Sequence, residues 1–372
     1  MNVGILIPGF SSNEQDWCIP VYLNLVRVLA QTDNVRVFAL RYPPRRDEYS
    51  VYGARVFAIG GRYDTAGVDR WRLLLRTIRQ IIRQHRARPF DVLHAIWADE
   101  TGFAAWVAGR LLGVPVVVSV AGGELARLPG YGLQSGQISR WLVAQAVTRP
   151  DIVSAPCQYA ADLIAGAQLY PRRLEIVPLG VDTALFSPSP ARGNANRLVA
   201  VGSLTRVKGH DRLLQALACL PDIRLDIAGE GPLLPELQAL ADSLGILNRV
   251  TFRGPIAHDA LPDLYRSAAL HILTSRHEAF GMVVAEAAAC GIPTVGFAFG
   301  VLNEFADAGA GIAVEPGNID VLASKIRELL DDPGRRAAMG LRARGLAETR
   351  YSLESMVKGI QDVYAKIIYR DR

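Results

Sequence analysis

Short apolar runs alternate with longer stretches of helical periodicity from one end of this chain to the other, and that alternation leaves few ways for it to fold. In the first half the runs are Val3–Ile7, Val35–Leu40, Arg55–Ile59, Val92–Ala95, Val114–Val120, Ile152–Ser154 and Leu174–Val177, with amphipathic helices at Pro20–Ala30, Arg70–Gln84 and Thr101–Leu112. Strand, helix, strand with few hairpin signals predicts a parallel, doubly wound sheet. The second half repeats the pattern: strands at Leu198–Val201, Arg224–Ala228, Arg249–Phe252, Ala269–Leu273, Pro293–Phe297 and Ile312–Val314 alternate with helices near His210–Cys219, Leu233–Ser243, Asp259–Ala268 and Gly281–Ala289. At 372 residues the chain suits two cores of ordinary size rather than one. The expectation is two Rossmann-like domains, 1–185 and 186–351, facing across a cleft, with a C-terminal helical segment, 352–372, that packs on either. Their boundary falls in Leu179–Asn196, where Pro188, Pro190, Gly193 and two asparagines break the pattern.

Composition excludes several classes. The opening MNVGILIPGF has no basic residue before its apolar run and reads as a first strand, not a signal peptide. The apolar segment Leu111–Gly123 is broken by Gly113 and Pro115, short of the ~20 residues of a membrane span. Cys18, Cys157, Cys219 and Cys290 are scattered without metal-ligand spacing, so reduced thiols in a cytoplasmic protein are expected, with no structural metal. Residues 1–180 hold 20 arginines and no lysine against 14 acidic residues, whereas residues 181–372 hold 21 basic against 22 acidic. The basic excess therefore belongs to the first half and points to an anionic partner there.

The stretch Thr274–Phe297, TSRHEAFGMVVAEAAACGIPTVGF, carries the chemistry. Glu278 precedes its helix; Glu286 lies inside, between Ala285 and Ala287, which is not how a solvated helix looks. If the segment were fully helical, eight residues would span about 12 Å, the reach from a ribose across a diphosphate to a sugar. The amides of Phe280, Gly281, Met282 and Val283 would form a helix N-terminus able to hold the diphosphate between them. The competing reading makes Glu278 a helix cap and Glu286 a paired core residue.

No G-x-G-x-x-G follows either domain's first strand and no P-loop occurs, which argues against a dinucleotide dehydrogenase and a P-loop nucleotidase. After the second domain's first strand comes Gly202-Ser203-Leu204-Thr205-Arg206-Val207-Lys208: a tight turn, then two cations where a leaving diphosphate would develop charge. Lys208 is the first of only four lysines. Gly229, in the Ile227–Pro232 turn, and Gly254, in Phe252–Pro255, close strands expected at the same sheet edge.

In order and spacing, VGSLTRVKGHDRLL, IAGEGP, FRGPI and SRHEAFGMVVAEAAACGIPTVGF resemble the C-terminal domain of retaining glycosyltransferases of family 4, whose fold is GT-B and whose E-x7-E motif is matched by Glu278 and Glu286. The resemblance is strong from about Arg197 to Tyr369. It implies that the second domain binds a nucleoside-diphosphate sugar, such as a UDP- or GDP-sugar, and the first an acceptor. Arg206 and Lys208 would hold the diphosphate, Glu278 would lie at the donor sugar, Glu286 at the ribose, the loop at Phe252–Pro255 at the base, and Glu304 at donor or phosphate. No resident cofactor or metal is implied, and no D-x-D pair is present.

In the first domain the family often carries His-Gly after the strand at Val116–Val120; here Ala121 stands in place of that His, followed by Gly122, Gly123 and Glu124, which suit a backbone approach to acceptor or donor sugar with one carboxylate nearby. At the first strand's end the family's Gly-Gly turn is reduced to Gly9, then Phe10, assigned to the acceptor side. His94 reads as a core histidine. Arg72, Arg76, Arg79, Arg83 and Arg86 line one face of a helix, with Trp71, Leu74, Leu75, Ile78, Ile81 and Ile82 on the other. The plain reading is a solvated crossover helix; the sharper one is peripheral contact with anionic lipid on the inner face of the membrane. The expected activity is retaining transfer of a sugar to a glycan, lipid-linked or small-molecule hydroxyl in cell-surface polysaccharide or glycolipid synthesis, with no nucleic-acid partner. The alternatives are a non-catalytic nucleotide-sugar-binding subunit, which Ala121 motivates, and a sugar-nucleotide epimerase.

Overall fold

The structure, a computed structural model, describes residues 1–128, 131–132, 136–189 and 194–369. It forms two compact units, Met1–Pro178 joined by the C-terminal segment from Leu353, and Leu179–Ser352. Pro190 and Gly193 of the expected boundary lie outside the described residues.

The first unit runs β1 (Asn2–Gly9), α1 (Pro20–Leu29), β2 (Asn34–Tyr42), β3 (Arg46–Val51), β4 (Ala54–Ile59), α2 (Gly67–Ala87), β5 (Val92–Ile96), α3 (Glu100–Leu112), β6 (Val116–Ser119), the short pair β7 (Arg127–Leu128) and β8 (Tyr131–Gly132), α4 (Gln137–Thr148), β9 (Ile152–Ala155), α5 (Gln158–Gly166) and β10 (Leu174–Ile176). Its main sheet has the order β10-β9-β6-β5-β1-β2-β4-β3, parallel except for β3. That strand was absent from the sequence reading because its opening residues Arg46, Asp47 and Glu48 are charged and exposed. Its hairpin turn, Tyr52-Gly53, has φ of 47° and 82°, the two positive values of the primed turns that match strand twist.

The second unit runs β11 (Asn194–Val201), α6 (His210–Ala218), β12 (Arg224–Ala228), α7 (Leu234–Ser243), β13 (Val250–Gly254), α8 (Leu261–Arg266), β14 (Ala268–Leu273), α9 (Met282–Ala289), β15 (Thr294–Phe297), α10 (Leu302–Asp307), β16 (Gly311–Val314), α11 (Ile319–Asp331) and α12 (Pro333–Thr349). Its sheet is wholly parallel, β13-β12-β11-β14-β15-β16. Leu198, Leu214, Ile227, Leu270 and Phe297 meet Ile326 of α11 in the core. β11 begins at Asn194, so the two asparagines expected to break the chain open this strand instead.

The last helix, α13 (Leu353–Ile368), packs on α1 of the first unit. Tyr364 and Ser119 hydrogen-bond the two ring nitrogens of His94 at 2.7 Å each. Burial drives the His94 pKa down to about 3, so it is the satisfied, neutral core histidine expected. On α2 the five expected arginines are exposed, but the apolar side differs from expectation. Leu73, Leu74, Thr77, Ile78 and Ile81 are buried, whereas Trp71 and Leu75 stand at the surface. No helix among the described residues is long and apolar enough to cross a membrane.

Candidate active site

In a doubly wound sheet, ligands gather beyond the carboxyl ends of the strands where the strand order reverses. In the second unit that point lies between β11 and β14, and the loops leaving these two strands carry Lys208 and Glu278. Lys208 Nζ donates to Glu278 Oε2 at 2.7 Å, and Ser275 Oγ donates to the same oxygen at 3.3 Å. The pair is half-buried, deep enough to be screened less than a surface ion pair yet open to a ligand. Arg206 is exposed beside it in the short turn Arg206–Lys208.

A bracket missed by sequence reading holds the two loops together. Arg276 forms a two-pronged bond to Asp211, at 2.8 and 2.6 Å, while its Nη1 donates to the Arg206 carbonyl at 2.8 Å and its amide to the Val207 carbonyl at 2.7 Å. The guanidinium's hydrogen bonds hold the Asp211 carboxyl below the usual carboxylate range. The signal was present as the Arg of SRHE and the Asp of GHDR, but pairing them needs the register of β11 against β14.

Close backbone approach explains the glycines. A Cβ on Gly209, where φ is 63°, would sit 2.1 Å from the Thr274 carbonyl oxygen; one on Gly229 would sit 2.0 Å from that of Gly202. Backbone bonds then run along the edge, Gly202 N to the Ala228 carbonyl at 2.9 Å and Gly229 N to the Gly254 carbonyl at 2.8 Å. The structure therefore brings Gly202, Arg206, Lys208, Gly229, Gly254 and Glu278 to one edge of one sheet.

α9 begins at Met282, with Gly281 as its cap residue at φ 90°, so the span from Glu278 to Glu286 is helical only in part. Met282 and Val283 are half-buried in the first turn. Phe280 is buried against Tyr351, and its carbonyl accepts from Val301 N at 2.7 Å, so its ring belongs to the core. Glu286 is buried; Tyr265 donates to its Oε2 at 2.8 Å and His258 Nε2 lies 3.6 Å from Oε1. Burial, with Glu286 beside it, holds the Tyr265 phenol protonated, and that proton is what the carboxylate accepts. Glu304, on α10, is held by Tyr351 and Arg350 at 2.7 Å each.

In the first unit the strand order reverses between β1 and β5. Gly9, at the end of β1, is crowded by Tyr63, Tyr42 and Cys18, and Phe10 is buried, so its side chain faces the core. After β6, Gly122 is left-handed at φ 98° and Gly123 opens a short turn. Glu124 is buried and ties two strand ends: its Oε1 accepts the amides of Ala98 and Ala121, each at 3.0 Å. Ala121 thus offers no imidazole, and its amide is already used.

Beside these residues lies a cavity of about 380 Å³ lined by Arg41, Tyr63, Arg70, Trp97, Asp99 and Glu124 among others. Glu100, at its wall, is gripped by Arg41 at 2.6 Å and Arg70 at 2.8 Å. Arg41 also reaches the carbonyls of Arg62 and Thr65, which fixes the loop carrying Tyr63. Asp99 caps α3 by accepting the Thr101 amide at 3.0 Å. Burial first, then Glu100, pushes its pKa up to about 7. Trp97 adopts φ 75°, rare for a bulky residue and typical of strain stored at sites. Trp97, Asp99 and Glu100 do not stand out in the sequence; the Asp just before the helical run is the available signal.

Comparison with known proteins matches residues 20–180 to the glycosyl transferase 4-like domain and residues 182–346 to glycosyl transferases group 1. The chain is 32% identical over 312 residues to a D-inositol 3-phosphate glycosyltransferase of Xylanimonas cellulosilytica, covering 76% of this chain and 73% of that one. It is 34% identical over 221 residues to a GDP-mannose-dependent alpha-(1-6)-phosphatidylinositol monomannoside mannosyltransferase of Mycolicibacterium smegmatis, covering 52% and 56%. Among solved structures, sucrose-phosphate synthase from Thermosynechococcus elongatus superposes with a TM-score of 0.85 at 19% identity, over 100% of both chains. Anabaena HepE in complex with UDP superposes at 0.75 and 18% identity, over 98% of this chain and 100% of that one.

Proposed function

The chain belongs to the group 1 glycosyltransferases of family 4, with the GT-B fold, and from that premise we propose that it moves a sugar from a nucleoside-diphosphate sugar to an acceptor hydroxyl with retention at the anomeric carbon. The observation that carries this reading is the Lys208–Glu278 pair at the point where the second sheet's strand order reverses, with exposed Arg206 beside it and the first turn of α9 following in the same loop. A donor diphosphate would take Lys208, Arg206 and the amides that open α9, while Glu278 would turn to the sugar hydroxyls and Glu286, steadied by Tyr265, to the ribose. The bond from the anomeric carbon to the diphosphate oxygen breaks as the acceptor oxygen bonds on the same face. The acceptor proton passes to the departing diphosphate, so no protein base is required. The relative named for GDP-mannose and the neighbour solved with UDP support a nucleotide-sugar donor without choosing its base.

We assign the acceptor, a glycan, lipid-linked or small-molecule hydroxyl, to the cavity lined by Trp97, Asp99 and Glu124, where carboxylates and an aromatic ring suit sugar hydroxyls and a sugar face. Cell-surface polysaccharide or glycolipid synthesis is the setting that fits such a donor and acceptor. Lys208, Arg206 and a helix end would offset the developing charge, so turnover should survive EDTA; loss of activity restored by Mg²⁺ would reject this part. Lys208→Ala should lower kcat by on the order of 10²-fold with a smaller change in donor affinity, read by initial rates and thermal shift. Wild-type kcat in that variant would remove Lys208 from the chemistry. Ala121 favours one second reading, a non-catalytic donor-binding subunit. Donor-dependent stabilisation without transfer or donor hydrolysis, across neutral and phosphorylated acceptors, would select it.

A further inference from the structure

We propose that the α2–α4 face of the first unit is a docking surface for an anionic lipid bilayer, with an aromatic band that enters the interface and an arginine-lined groove that takes lipid headgroups. Helical geometry, at about 100° per residue, places Val68, Trp71 and Leu75 along one edge of the exposed face of α2 and Arg76, Arg79 and Arg83 along the other. The apolar edge is not covered: Trp71 is 39% exposed, Leu75 51% and Val68 67%. It continues across two neighbouring helices. Phe103 of α3 lies 6.4 Å from Trp71 and 5.2 Å from Trp141 of α4, centroid to centroid, and Trp141 and Ile138 are themselves 47% and 49% exposed. Contiguous exposed apolar surface of this kind marks an interaction site, and tryptophan is the residue that favours the water–lipid boundary.

The other edge supplies charge. A groove of about 380 Å³ between α2 and the β3–β4 hairpin is lined by Arg46, Arg76, Arg79 and Arg83 over a floor of Phe57 and Ile59. Its two carboxylates are already neutralised from outside: Asp47 pairs with Arg45 at 3.1 Å and Glu48 with Arg55. Among the described residues those four lining arginines make no ion pair. Over α2, α3 and α4 together, eight arginines stand against Asp69 and Glu100 alone, and Glu100 is buried. That balance selects the occupant. A second copy of the chain would bring arginine stripes face to face, whereas an anionic bilayer offers phosphates to the groove and an apolar boundary to Trp71 and Trp141.

The test is flotation of the full chain with vesicles of phosphatidylglycerol in phosphatidylcholine against vesicles of phosphatidylcholine alone, at low and high salt. The expected result is binding only to the phosphatidylglycerol vesicles, weakened by salt. At about 1 kcal/mol per surface arginine, Arg76→Ala with Arg83→Ala should weaken binding about thirtyfold. The charge-matched control Arg224→Ala with Arg335→Ala, exposed on the second unit, should leave it within about twofold, because the attraction is local. Leu75→Ser and Trp141→Ser should remove the salt-resistant part, and circular dichroism checks that each variant is folded. Absence of binding to phosphatidylglycerol vesicles overturns the proposal. Equal loss in the control pair reduces it to net charge, and a lipid-free dimer abolished by Trp141→Ser would assign the face to a second copy.

Discussion

Lys208 without Glu278 would be a solvated cation, and Glu278 without Lys208 a loop carboxylate; at 2.7 Å they form a half-buried ion pair, which on the proposed reading a donor's phosphate and hydroxyls would open. Asp99 makes the clearest prediction at this scale. Its carboxyl titrates near 7 in the folded protein against an ordinary 3.8, so folding takes up a proton between those values. Stability from this group is present below about pH 4 and is lost as pH rises through about 7. Asp99→Asn keeps an oxygen to cap α3, so the variant should lose that slope and melt higher than wild type at pH 8. An unchanged pH profile of melting would show that the carboxyl is not buried in its acid form. Residues of this kind separate what a sequence reader sees from what is hidden. Glu278, Glu286, Arg206 and Lys208 stood out because charge in apolar or glycine-rich surroundings is visible along the chain. Arg276 with Asp211, and Arg41 with Glu100, are joined across 65 and 59 residues, and only the strand register brings them together.

The loops at the edge of the second sheet fit because two of them touch without side chains between. Gly209→Ala should therefore cost roughly 2–4 kcal/mol, from a left-handed backbone and from overlap with the Thr274 carbonyl, measured by denaturant unfolding. It should also weaken donor binding, since Thr274 begins the loop that carries Glu278; a stable, tightly binding variant would contradict the close approach. Elements with a strong period were legible: the central parallel strands, such as β1, β5, β6 and β14, are almost wholly buried and read as apolar runs, and they emerged almost where expected. β3 was not, because an edge strand that is exposed need not be apolar. The start of α9 was placed one residue early at Gly281, whose positive φ makes it the cap rather than the first turn. On α2 the period was read correctly but the buried arc was shifted, because Leu73 and Thr77 fill the core where Trp71 and Leu75 were expected.

Across the whole molecule, charge and chemistry are divided between the two units. Five exposed arginines of the first half line α2, whereas the second half is nearly neutral, with Lys208 and Arg276 held in specific pairs. The C-terminal helix returns to the first unit, where Tyr364 completes the hydrogen bonding of His94, a connection between positions 270 residues apart that no local pattern announces. The central claim is transfer with retention. The most direct measurement incubates the purified chain with UDP-, GDP- and ADP-sugars, chosen by which of them raises its melting temperature, together with neutral and phosphorylated acceptors, and follows the anomeric proton by NMR. Retaining transfer gives a glycoside whose anomeric configuration matches the donor and a rate that falls on the order of 10²-fold in Lys208→Ala. A product of inverted configuration, or an isomerised donor with no glycoside formed, would contradict it.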